Sequence, residues 1–208
     1  MSLLYDPQGN RKYLTLAERH AFLMAARCLP SEEESFCQVL AYTGGRISEV
    51  LALTFGRIDL GRRVIVLETL KKRRTGVFRE IPVPVSLLSV LERVHGIGPA
   101  QRDPQQRGGY LWSFGRTKAW MIVKHAMAAA EIDAPRASPK ALRHSFAVAA
   151  LQAGVPITLV RRWLGHSRIS TTEIYTNVVG DEERQLASRL WREFEKSTFD
   201  DPVKETAA

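Results

Sequence analysis

The chain has 208 residues, 45% of them hydrophobic and 25% charged, with a formal net charge of +8. A chain of that length and apolar content can bury one large core or two small ones, which excludes an intrinsically disordered segment. No apolar run is long enough to cross a bilayer and the first residues lack a signal-peptide core, so a soluble, intracellular protein is expected.

The surplus of cations favours a polyanion as partner, with nucleic acid first among them. The two cysteines, Cys28 and Cys37, have no metal-ligand spacing. Cys28 falls in an apolar helical pattern and reads as a buried free thiol, which suits a reducing compartment.

Residues 1–14 are polar and turn-rich and read as an exposed lead-in. Thr15 and Glu18 have capping-box spacing, and Leu16, His20, Leu23 and Met24 recur at helical intervals, which predicts a helix from Thr15 to Cys28. Pro30-Ser31 restarts a helix, with Ser31 and Glu34 as a second capping box and three acidic residues in the first turn. It ends at Gly44-Gly45. Arg46 to Leu53 reads as a short helix. Val64 to Leu67 and Arg79 to Val83 then read as two antiparallel strands, joined by the basic turn Lys71-Lys72-Arg73-Arg74-Thr75-Gly76. Pro82 and Pro84 mark the second strand as an edge.

Ser86 to His95 is predicted helical, and residues 96–109, with four Gly and two Pro, form the longest loop. Arg116 to Ala130 is helical. Ser138 as cap and Pro139 at the first position start another helix, which runs to Ala153 and is closed by Gly154. A helix from Pro156 stops at Leu164-Gly165, and Asp181 to Glu195 forms a last amphipathic helix before a flexible tail, 196–208.

Three segments concentrate groups suited to phosphodiester chemistry. In Thr43-Gly44-Gly45-Arg46-Ile47-Ser48-Glu49, two glycines permit close backbone approach and Arg46 opens a helix. Glu49 lies one turn on, where it can hold the guanidinium. In Lys140-Ala141-Leu142-Arg143-His144, Lys140 and Arg143 share a helix face beside its N-terminus and form an anion site. In Leu164 to Tyr175, His166 follows a helix-ending glycine, and a short helix capped by Ser170 or Thr171 carries Tyr175.

Together the three segments resemble the tyrosine recombinase (phage integrase) family over residues 14–195. That family's order is Arg, a hairpin Lys, His-x-x-Arg, His or Trp, then Tyr. The matching positions are Arg46 within TGGRISEV, Arg143 within KALRHSFA, His166 within WLGHSRISTT and Tyr175 within EIYTNV. The chain departs from the pattern at Lys140, which stands where the family has its first His, so a positional role is expected there. Counting back from Ile81-Pro82 puts Arg74 at the hairpin-lysine position, and a bulge or longer turn restores Lys72, which is taken here.

The resemblance implies a mainly α fold with a small antiparallel β-sheet (α+β), like the family's catalytic domain. It also implies a single catalytic domain over 15–195, with the N-terminal core-binding domain absent. The implied chemistry is site-specific breakage and rejoining of double-stranded DNA, with neither metal nor other cofactor. Tyr175 would attack phosphorus to give a 3′-phosphotyrosyl link, Arg46, Arg143 and His166 would brace the phosphate oxygens, and Lys72 would protonate the leaving 5′-oxygen. Lys71, Arg73, Arg161, Arg162 and Arg168 would contact flanking phosphates. The helix at 181–195, with Leu186, Leu190, Trp191 and Phe194 as its apolar stripe, would pack on a neighbouring protomer on DNA. A prokaryotic cytoplasm hosting a plasmid or phage fits. The alternatives are a DNA-binding regulator of the same fold with weak or no catalysis, its 141–164 region reading as helix-turn-helix, and a type IB topoisomerase-like nicking-closing enzyme.

Overall fold

The computed structural model describes residues 4–70 and 76–166, together with Thr172, Tyr175, Ala187, Ser188, Trp191 and Arg192. Among these residues the fold is mainly helical with one small antiparallel sheet, as the sequence predicts. In chain order it has α1 (Leu16–Ala26), α2 (Ser31–Thr43), α3 (Ile47–Leu51), a 3-10 turn (Phe55–Arg57), β1 (Ile58–Asp59), β2 (Val64–Glu68) and β3 (Phe78–Pro82). The helices α4 (Val85–His95), α5 (Ile97–Arg102), α6 (Arg116–Ala129), α7 (Pro139–Gln152) and α8 (Ile157–Leu164) follow.

Helix α2 is the axis of the core and packs against α1, α4, α6 and α7. Nearly every residue from Ser35 to Thr43 is buried, the mark of a helix covered on all sides. Phe36, fully buried, meets Trp112 edge-on at 5.2 Å and Phe114 at 5.3 Å. The cap is Pro30 and Ser31 is the first helical residue, so the expected Ser31–Glu34 box does not form. The fixed φ of proline starts the helix one residue early. The Thr15–Glu18 box does form, and Ser138 caps α7 through the N–H of Ala141.

Several expectations need correction. Residues 4–14 are exposed at 7–10, as expected, but anchored on either side of that turn. Leu4, Tyr13 and Leu14 are buried, the N–H of Leu14 donates to Ser145 Oγ at 2.6 Å, and Arg11 pairs with Glu18 at 2.7 Å. In α1 the buried residues are Phe22 and Ala26, while Leu16 and Met24 are exposed. That helix carries apolar residues on more than one stripe, so periodicity alone cannot choose its inner face. Cys28 lies exposed in the turn after α1, and only Cys37 is buried, its thiol pushed up to about 12 by burial. The predicted loop at 96–109 contains α5, whose single turn and a half, with Ile97 and Ala100 buried, is too short to display a period.

The sheet runs β1-β2-β3, with Ile65 opposite Ile81 and Glu68 opposite Phe78. Edge strand β3 alternates strictly, Phe78, Glu80 and Pro82 outward and Arg79 and Ile81 inward. A charged residue thus points into the protein from a position reserved for apolar side chains. The sheet packs on α3 and α8, so its inner face looks toward the ends of those two helices.

Helix α2 stops at Gly44, whose φ of 60° is left-handed. A Cβ there would lie 2.6 Å from the ring of Phe146 on α7. Gly44→Ala should combine backbone strain with overpacking and cost about 1–3 kcal/mol, read as a lowered midpoint in urea or thermal unfolding.

Candidate active site

The inward Arg79 leads to the site. Its Nη2 donates to Glu49 Oε2 at 2.5 Å, its Nε to the carbonyl of Trp163 at 2.7 Å, and its Nη1 to Thr69 Oγ1 at 2.9 Å. Glu49, buried on α3, accepts from Arg46 Nη1 on Oε1 at 2.7 Å and from the backbone N–H of Arg46 on Oε2 at 3.1 Å. Burial alone would raise this carboxyl, but Arg79 and the backbone and side chain of Arg46 outweigh it and hold Glu49 below its ordinary range. The expected support of Arg46 by Glu49 is therefore present, with Arg79 as a third member.

Arg143 lies in the second turn of α7, buried, with Nη1 on the carbonyl of Gly44 at 2.8 Å and Nη2 on that of Leu164 at 2.6 Å. Both carbonyls close helices, where backbone acceptors are otherwise unpaired. Burial, with Arg46 and Arg79 adding to it, lowers the guanidinium to about 10, so it stays charged at neutral pH. The left-handed Gly165 turns the chain after α8 and delivers His166, whose Nδ1 is 2.9 Å from Thr172 Oγ1. Burial first, then Arg143 and Arg46, pushes His166 down to about 3, so the ring is neutral.

The phenol of Tyr175 is 3% exposed. Its ring lies parallel to that of His166, centroids 6.4 Å apart, and its hydroxyl is 2.9 Å from His144 Nδ1. Burial raises the phenol's pKa against the opposing pull of Arg143 and Arg46. Burial, Lys140, Arg143 and Lys12 together lower His144 to about 4. The phenol is thus enclosed, but by imidazoles and within the field of two guanidiniums, not by the apolar core alone.

Arg46, Glu49, Arg143, His166 and Tyr175 come together. Lys140 is exposed on the first turn of α7, close enough to act on His144 electrostatically. Arg161 and Arg162 line a cavity of about 480 Å³ beside the site, with Thr69, Phe78, Arg79 and His166 on its other walls. Lys71, Lys72, Arg73, Arg74 and Arg168 lie outside the described residues. The strands that carry the basic turn end at this cavity, where the N–H of Thr69 bonds to the carbonyl of Val77 at 2.8 Å. Arg79 and His144 were not picked out from sequence. The inward phase of Ile81 was a usable signal for Arg79, and His144 was masked by its neighbour Arg143. Chemically, three guanidiniums and one carboxylate leave a net positive basin, lined by two neutral imidazoles and a phenol, which suits a phosphodiester.

The chain belongs to the phage integrase family, whose profile matches residues 12–181. It is 32% identical over 190 residues to tyrosine recombinase XerD of Yersinia pestis, an alignment covering 86% of this chain and 62% of that protein. It is 34% identical over 159 residues to XerD of Mycobacterium tuberculosis strain CDC 1551, covering 72% and 49%. The chain thus spans about half to three-fifths of the length of these curated relatives. Its fold matches the crystal structure of XerA recombinase with a TM-score of 0.70 at 24% identity, over 85% of this chain and 64% of that one. It matches XerH site-specific recombinase bound to difH substrate with a TM-score of 0.68 at 17% identity, over 90% and 59%.

Two measurements test this geometry. Glu49→Ala would strand Arg79 as a buried unpaired cation and should cost about 3–5 kcal/mol in unfolding free energy. His95, half-buried against Trp112, is lowered by burial, as His144 and His166 are more strongly. An imidazole that binds protons less readily when folded is neutral without penalty above its unfolded value of 6.5, and costs stability as pH falls below it. The thermal midpoint should therefore drop between pH 6.5 and about 5, above the carboxylate range, and His144→Gln with His166→Gln should flatten that drop.

Proposed function

We propose that this chain is the catalytic part of a site-specific DNA recombinase that cuts and rejoins DNA through a 3′-phosphotyrosyl intermediate on Tyr175. The observation that carries the reading is the gathering of one phenol, two guanidiniums and a neutral imidazole around a single cationic basin. On this reading Arg46 and Arg143 brace the non-bridging oxygens as charge shifts in the transition state. His166 donates a further hydrogen bond. Its Nδ1 faces the Thr172 hydroxyl, which leaves Nε2–H for the phosphate. Lys72 protonates the leaving 5′-oxygen, with Arg74 as the other basic group at that turn. Lys140 positions DNA, and Lys71, Arg73, Arg161, Arg162 and Arg168 hold flanking phosphates.

The substrate is double-stranded DNA, a reading supported by the fold's match to a site-specific recombinase bound to its difH substrate, and the setting is the cytoplasm of a prokaryotic cell hosting a plasmid or phage. The apolar residues at 186, 190, 191 and 194 dock on a second protomer. Trp191 is 54% exposed on a helical stretch that includes Arg192, whose Nε reaches the carbonyl of Ser188. The other three positions lie outside the described residues.

Tyr175→Phe should abolish covalent capture of a nicked suicide duplex while leaving duplex binding within a few-fold. Capture by the Phe variant would remove Tyr175 as nucleophile. Arg143→Lys keeps the charge but loses the planar fork, and should slow cleavage by about 10²–10³ in single-turnover assays. DNA binding without any covalent product would point to a regulator of the same fold, and relaxation of supercoiled plasmid without recombinants to a nicking-closing enzyme.

A further inference from the structure

We propose that His144 is the base that takes the phenolic proton of Tyr175 during attack on phosphorus, an assignment that rests on the reading of Tyr175 as the nucleophile. The argument starts from the 2.9 Å contact between His144 Nδ1 and the Tyr175 hydroxyl. The hydroxyl donates to this nitrogen in the tautomer that carries its hydrogen on Nε2. Among the described residues Nε2 is buried without a hydrogen-bond partner, so the phenol is the polar engagement of the ring. A histidine 5% exposed, with one nitrogen unpaired, is held there at a cost that packing alone does not explain.

Among the described residues, His144 Nδ1 is the side-chain partner of that oxygen. Lys140, one turn before His144 on the same helix, is an ammonium with donors only, and the same holds for Arg143 and Arg46. His166 has its Nδ1 engaged by Thr172 and lies alongside the tyrosine ring. Both oxygens of Glu49 are taken by Arg46 and Arg79. Among the described residues, the charged and titratable groups facing His144 are Lys140 and Arg143 on its own helix, Lys12 from the lead-in, and Tyr175 and His166 beyond α8. Burial first, then these three cations, keeps the imidazole neutral, hence able to accept.

Burial and the same cations make a free imidazolium unfavourable, and burial makes a free phenolate unfavourable. Proton transfer is therefore tied to attack. The O–H bond of Tyr175 breaks and its proton passes to His144 Nδ1 as the phenolic oxygen bonds to phosphorus. The bond from phosphorus to the 5′-oxygen breaks, and that oxygen leaves with the electron pair and takes a proton from Lys72. In the return step the incoming 5′-hydroxyl gives its proton to Lys72, and the imidazolium returns its proton to the departing phenolate. The negative phosphodiester, present throughout, offsets the charge formed on His144.

The test is single-turnover formation of the covalent complex on a nicked suicide duplex, its site selected by binding from a randomised pool. The His144→Gln variant is compared with the unaltered chain, each carrying either tyrosine or a ring-fluorinated tyrosine at 175. His144→Gln should slow the step by about 10²–10⁴ at neutral pH. The fluorinated, more acidic phenol should recover most of that loss, and the rate of His144→Gln should climb with pH where the unaltered chain is flat. A normal rate in His144→Gln, or a loss that the fluorinated phenol does not recover, overturns the assignment and leaves the recombinase reading standing. Absence of any phosphotyrosyl product from the unaltered chain removes the recombinase reading, and this one with it. If His144→Gln does not fold, imidazole nitrogen NMR on the intact chain decides. Nδ1 of His144 must behave as an acceptor that loses its partner in Tyr175→Phe, and a protonated Nδ1 overturns the proposal.

Discussion

The buried carboxylate of Glu49 is the constraint on which the rest of the site depends. It sits between two guanidiniums at 2.7 Å and 2.5 Å, on a helix of barely more than one turn. Without it, Arg46, Arg79 and Arg143 would be three mutually repelling cations, two of them buried. A buried ion pair of this kind adds little net stability, because the cost of desolvating both charges roughly cancels their attraction. Its effect is positional. Arg79 ties Glu49 to Thr69 at the end of β2 and to the carbonyl of Trp163 near the end of α8. The same carboxylate therefore fixes Arg46, the strands that carry the basic turn, and the helix end from which His166 emerges.

Arg143 repeats the device with backbone acceptors. Two of its five N–H groups close the last carbonyls of α2 and α8, helix ends that carry partial negative charge. Among the described residues these two carbonyls are the hydrogen-bond partners of the guanidinium. The arrangement joins two elements far apart in sequence, the GlyGly turn before Arg46 and the Gly turn before His166, through one planar group. The three donors of a lysine radiate from one nitrogen, whereas the guanidinium spreads its donors over separate nitrogens in one plane, which suits two carbonyls on different elements.

The sequence showed the frame of the site well and its joinery poorly. Arg46, Arg143 and His166 were legible because each lies near a helix end with its own marker, Gly44-Gly45, Ser138-Pro139 and Gly165, and Tyr175 through the resemblance carried by EIYTNV. The capping residues Thr15 and Ser138 were legible for the same reason, since a cap is a local interaction. Arg79 was not, because a charged residue in an edge strand usually points to water and its partners are far away in sequence. Cys28 was misread because an apolar pattern in a helix with several stripes does not say which stripe is covered. The lead-in was misread in part because its turn residues are real, Asp6 accepting from the N–H groups of Gln8 and Asn10, while Leu14 is tied to Ser145 of α7, which arrives much later in the chain.

Protonation states bring these observations together. Burial and neighbouring cations keep both imidazoles neutral, and burial keeps the phenol protonated. At rest, then, the formal charges among these groups lie on the arginines and Glu49, and the basin is short of negative charge. On the proposed reading the phosphodiester supplies it. Its arrival stabilises Arg46 and Arg143 and makes a transient imidazolium tolerable, so the groups that would cut DNA become reactive only when DNA is in place. A phenol kept acidic at all times would react with any electrophile that entered the cavity, whereas one whose ionisation waits on its substrate is spent only on phosphorus.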